Sequence, residues 1–312
     1  MIVLADIQPI QLHDDQGPMK ATCRLANPPG FALLRGLALL CILSLLGGCE
    51  MGPAMFLGAR DREISDSTQA VQSARNDVER AKAYSARGAA YSEKARYSRE
   101  FKLIPADEYE RLFDLAMKDH NQAVALNPSN AEVYFNRAQT NYDRGTLDLM
   151  ENTKEIWLVD PTAKSSLDAA ASDFEEAIEK DPRNSLAIDR LGLTYEQAGE
   201  EDNAVRAYTQ ELAFDPLGKQ RLADAYCFFG FRHQQQKELA AAAAAYQKST
   251  EIGVADDKSC PYNALENGVA IYTTETREYD KAWEMVHQAQ KVGRRISPEA
   301  IDRLKKASGR TN

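Results

Sequence analysis

Three kinds of side chain in this 312-residue chain could do chemistry: 5 cysteines, 4 histidines and 47 carboxylates. Cys49 stands where a thiol could be modified, because it closes an apolar run, residues 36–48, directly after two small residues, Gly47 and Gly48. The histidines are scattered: His13 precedes that run, and His120, His233 and His287 lie far apart. A zinc site needs three or four converging ligands, so no metal is expected. Glu175, Glu176, Glu200, Glu201 and Asp202 read as solvated groups on helix faces and turns, and no general acid and base can be paired among them. The chain has no Gly-rich phosphate loop, no H-E-x-x-H, no C-x-x-C and no serine in a strand-turn-helix setting. The residues therefore predict no catalytic site, no cofactor and no small-molecule substrate.

The apolar run has the length of a signal-peptide core, short of the roughly 20 residues a membrane span requires, and Arg24 and Arg35 supply its positive flank. Leu46-Gly47-Gly48-Cys49 resembles the lipobox of bacterial lipoproteins, in which small residues admit the peptidase and the thiol accepts the lipid. The resemblance implies a signal peptide over 1–48 and lipidation of Cys49, with several acyl chains holding the protein at a bilayer. Glu50 stands where an Asp would mark inner-membrane retention, which implies an outer membrane facing the periplasm. Residues 49–65 read as a lipidated tether, since Met51 to Gly58 show no helical periodicity. Met1 and Met19 both remain as starts.

The formal net charge is −9. Residues 1–48 carry three acids and three bases, so the remainder is also −9. That excess excludes nucleic acid as the main partner, because neutralising phosphates requires clustered Lys and Arg.

Behind these groups the elements repeat. Ile188, Leu191, Gly192 and Tyr195 are followed by Ala204 and Tyr208, and then by Pro216, 34 residues after Pro182. The spacing resembles the tetratricopeptide repeat, in which small residues let two antiparallel helices meet and a proline ends the second. Neighbouring units carry Tyr84, Gly88, Ala116 and His120, then Tyr134, Ala138, Gly145, Ala170 and Phe174, then Phe229, Gly230, Ala242 and Tyr246, then Ala270, Ala282, Val286 and Ala289. The resemblance implies an all-α tetratricopeptide-repeat helical solenoid over 66–312. About five helix-turn-helix units are expected, with insertions near 97–109 and 146–167 and a C-terminal capping helix opened by Ser297-Pro298. A helix carrying Val71, Ala74, Val78 and Ala81 leads into the first unit. The insertion holding Trp157 either packs as an extra helix or presents that ring to a partner.

In the family, the exposed face of each first helix lines a binding groove. Carried over here, that face comprises Glu132, Phe135, Gln139, Tyr142 and Asp143 in the second unit. The third adds Leu186, Asp189, Leu193, Glu196 and Gln197, and the fourth Phe231, Gln234 and Gln235. Acidic and aromatic groups together suit a peptide or helix with basic and apolar side chains. Cys227 and Cys260 are either bridged, which needs Cα atoms within about 7 Å, or one is buried and one exposed. The function expected is a membrane-anchored scaffold of the bacterial cell envelope that binds partner proteins or peptides. The alternative is an assembly factor or structural subunit of an envelope machine or pilus; a periplasmic hydrolase, the third class, has no motif behind it.

Overall fold

The computed structural model describes residues 53–311 apart from 153–158, 253–262 and 292. Every regular element among the described residues is an α-helix: α1 (Pro53–Ser73), α2 (Asp77–Glu100), α3 (Ala106–Leu126), α4 (Ala131–Asn152), α5 (Pro161–Lys180), α6 (Ser185–Ala198), α7 (Glu201–Glu211), α8 (Gly218–Gln235), α9 (Leu239–Glu251), α10 (Ala264–Thr274), α11 (Tyr279–Lys291) and α12 (Pro298–Ser308). From α2 to α11 they pair into five helix-turn-helix units, each packed on the next; α1 packs on α2, and α12 covers α10 and α11.

One device recurs in every unit: a glycine on the first helix receives a large side chain from the second. Gly88 faces His120, Gly145 faces Leu167, Gly192 faces Tyr208, Gly230 faces Tyr246 and Gly268 faces Met285. A Cβ at Gly230 would lie 2.5 Å from the Tyr246 ring, closer than real Cβ contacts come. The rings so seated, Tyr208 and Tyr246, are fully buried. Between these seats the cores are built from alanine and a few aromatics, for example Ala138, Ala170, Ala171 and Phe174. Helices start and stop by local chemistry. Asp160 accepts from the Thr162 amide at 2.8 Å ahead of Pro161, and Ser297 caps α12 ahead of Pro298. Gly199 closes α6 in the left-handed conformation, φ 78°, beneath the Arg232 guanidinium, so a side chain there would meet both strain and a clash.

Three expectations change. The segment read as a tether is helical from Pro53, because α1 finds its partners on α2: Phe56 stacks on Tyr97 at 3.9 Å, Lys94 meets Asp61 at 2.6 Å and Arg60 meets Glu93. Val71 and Val78 do not share a helix, since Asn76 breaks the chain and caps α2 by accepting from the Glu79 amide at 2.8 Å. The segments read as insertions are mostly helix extensions. α2 runs for 24 residues and α4 for 22, against 14 in α6. Buried Arg99 holds the extra turns, donating to Asp148 at 2.9 Å and lying 4.9 Å over the Tyr109 ring, beside Ala95, Phe113 and Leu147. Trp157 lies outside the described residues.

Candidate partner-binding groove

The first helices present one row of polar side chains, from α2 through α4 and α6 to α8. On α4, one turn of helix separates Gln139 from Asp143, and the Gln139 amide donates to the Asp143 carboxylate at 2.9 Å. Tyr142 is partly buried beside them. The α6 contribution is Glu196, which accepts from the Tyr208 hydroxyl at 3.3 Å. Arg96 of α2 reaches within 3.9 Å of Asp143, and Arg232 of α8 donates to the Glu196 carbonyl at 3.2 Å.

The carboxyls in this row are desolvated, and the cations near them, Arg96 and Arg190 for Asp143 and Arg232 for Glu196, only partly offset that loss. Burial pushes the Asp143 carboxyl up to about 6, opposed by the Gln139 bond and by Arg96 and Arg190. Burial likewise pushes Glu196 up to about 7; the Tyr208 bond and Arg232 oppose it, and Asp224 and Asp189 reinforce it. The Tyr142 phenol is raised to about 12, chiefly by burial. A carboxylate that has lost water and whose neighbouring cations do not fully offset that loss is a site where an incoming ammonium or guanidinium gains.

The expected groove residues divide into two groups. Gln139, Tyr142, Asp143 and Glu196 come together as described. Glu132 is exposed at the start of α4, and Leu193 and Phe231 are partly buried. Phe135 turns toward the core, with its ring edge-on to Phe174 at 5.5 Å. Asp189 is 9% exposed and is paired with Arg221 at 2.6 Å, which also binds Glu211. Three contributors were not read from the sequence: Arg96, Arg190 and Asp224. Their signal was present for Asp224, in the first half of α8, but the register slip after Pro216 placed the groove face of that unit further along the helix.

The histidines serve packing. His120 is fully buried against Gly88, 3.0 Å from the Thr140 hydroxyl, and burial lowers its pKa to about 4, so it is neutral at pH 7. His233 bridges Glu201 at 3.0 Å and Glu238 at 2.7 Å, tying α7 to α8, and His287 stacks on Trp283. Among the described residues no three His, Cys, Asp or Glu side chains are grouped to hold a metal ion. Nor is any described helix long and apolar enough to cross a membrane. Cys227, midway along α8, is disulfide-bonded; Cys260 and Cys49 lie outside the described residues.

No family model matches this chain, and no curated protein does. Solved structures to which it is similar include TTC0263, a thermophilic TPR protein of Thermus thermophilus, at 19% identity over 77% of this chain and 94% of that one, TM-score 0.36. YrrB, a TPR protein described as having an unusual peptide-binding site, is 16% identical over 78% and 98%, TM-score 0.36. PilF of Pseudomonas aeruginosa is 15% identical over 70% and 86%, TM-score 0.31. Likeness at this level says nothing of site or partner.

Proposed function

We propose that this chain is a lipid-anchored scaffold of the bacterial cell envelope that captures partner proteins or peptides in its groove through basic and apolar side chains. The observation that carries the reading is the row of desolvated carboxylates, Asp143 and Glu196, flanked by Tyr142, with Arg96 no nearer to Asp143 than 3.9 Å. A Lys or Arg side chain entering between α4 and α6 replaces the water these carboxylates have lost, and the neighbouring aromatic surface covers its aliphatic stem. This is binding chemistry, and the protein acts as an interaction module rather than an enzyme.

Attachment to the membrane follows from Leu46-Gly47-Gly48-Cys49, and Glu50 directs it to the outer membrane, facing the periplasm. Two measurements test the function. Fluorescence anisotropy with labelled peptides should show Lys- and Arg-bearing sequences binding and their Asp- and Glu-bearing counterparts failing to bind, with affinity lost in the D143N/E196Q double variant. Equal binding of both peptide classes would refute the groove reading. Incorporation of labelled palmitate, abolished by C49A, tests the anchor.

A further inference from the structure

We propose that the corner where the first turns of α1 meet the C-terminal end of α2 lies in the lipid surface of the membrane. The inference rests on lipidation of Cys49. Three residues separate Cys49 from Pro53, so the intervening chain spans at most about 14 Å even when fully extended. An anchored Cys49 therefore holds the start of α1 at the headgroup layer, whatever else the protein binds.

What stands at that corner is what a bilayer interface takes. Met55 and Phe101 are 55% and 51% exposed, among the few large apolar side chains that the described residues leave in solvent. Behind them Phe56 stacks on Tyr97 at 3.9 Å, and Tyr97 meets Phe101 at 4.5 Å, so three rings form one apolar and partly polar-tipped edge. Aromatic rings with a polar tip are enriched at the headgroup level of membranes.

The charge agrees. Lys102 follows Phe101 directly, is exposed, and holds φ 52°, a left-handed conformation that bulky side chains rarely adopt. This conformation ends α2, with the Leu103 amide donating to the Ser98 carbonyl at 2.8 Å, and leaves Phe101 and Lys102 adjacent and exposed at the end of the helix. A lysine beside an inserted ring reaches anionic headgroups while its stem stays in apolar surroundings.

The test uses the full lipidated protein in vesicles of phosphatidylethanolamine and phosphatidylglycerol with brominated acyl chains. The variant F101W places an indole at the corner, F214W places one at the exposed turn after α7, and wild-type emission from Trp157 and Trp283 is subtracted. The indole of F101W should shift to the blue and lose emission to the bromines, and that of F214W should do neither. An indole of F101W that stays unquenched while the protein floats with the vesicles overturns the inference and leaves the anchor standing. One that shifts to the blue without quenching assigns the corner to contact with a second copy of the protein and overturns it equally. A protein that fails to float with the vesicles overturns both the anchor and the corner.

Discussion

The hydroxyl of Tyr208 donates to Glu196 at 3.3 Å while the ring of the same tyrosine fills the space left by Gly192. One side chain therefore closes the core of the third unit and supports a carboxylate of the groove. The relation recurs a unit later, where Tyr246 fits against Gly230 and donates to Gln234 at 2.8 Å.

The variant G192A should be destabilised by about 1–3 kcal/mol, since the ring of Tyr208 cannot move aside in a packed interior. The gain of about 0.5–1 kcal/mol that alanine brings to a helix is smaller than that cost. Urea unfolding of G192A against wild type measures the difference. An unchanged midpoint would show that the seat is not tight.

Stability should depend on pH through Glu196 in a stated direction. Its folded pKa, about 7, lies above the ordinary glutamate value of 4.5, so between these values the folded chain holds more protons than the unfolded one. The contribution is present at low pH and is lost as pH rises through the folded value. E196Q should therefore match wild type near pH 4 and exceed it near pH 8, by about 1–2 kcal/mol. Thermal melts at the two pH values check this, and a larger gain at pH 4 would reverse the assignment. Binding of basic peptides should move the other way and strengthen as pH rises, because the bound form needs the carboxylate charged.

Arg137 grips Asp173 with two hydrogen bonds, 2.8 and 2.6 Å, joining α4 to α5, just as Arg87 grips Asp119 between α2 and α3. Removing only the cation leaves a buried carboxylate, so R137A should cost about 2–4 kcal/mol. Replacing both partners, in R137M/D173L, should restore most of that loss. A double-mutant cycle that finds the two changes additive would deny the coupling.

Reduction of the Cys227 disulfide should lower stability by about 2–4 kcal/mol. The partner expected from the sequence is Cys260. Peptide mapping without reductant should recover one fragment containing both positions. Separate fragments would reject the pairing.

The sequence announced what depends on neighbours one unit apart and concealed what depends on distant pairs. Gly192, Tyr195, Ala204 and Tyr208 state the third unit in full, and the 34-residue interval to Pro216 fixes its turn. The longer helices were hidden because their last turns rely on contacts such as Arg99 with Asp148, 49 residues apart. Helicity of α1 was hidden for a similar reason: a lone helix is marginal in water, and this one is held by Phe56 on Tyr97 and by charges on α2. In the groove, Gln139, Tyr142, Asp143 and Glu196 were legible because they follow repeat positions. Asp189 follows one too, and its pairing with Arg221 of the next unit, 32 residues on, was not legible there.

A tyrosine that wedges a core and steadies a groove ties two histories together. Tyr208 cannot drift to a smaller residue without emptying the seat at Gly192 and releasing Glu196, and Tyr246 binds Gly230 and Gln234 in the same way. Among descendants of this chain, a change of partner that recasts one rung of the groove should be inherited together with a compensating change 12 residues away.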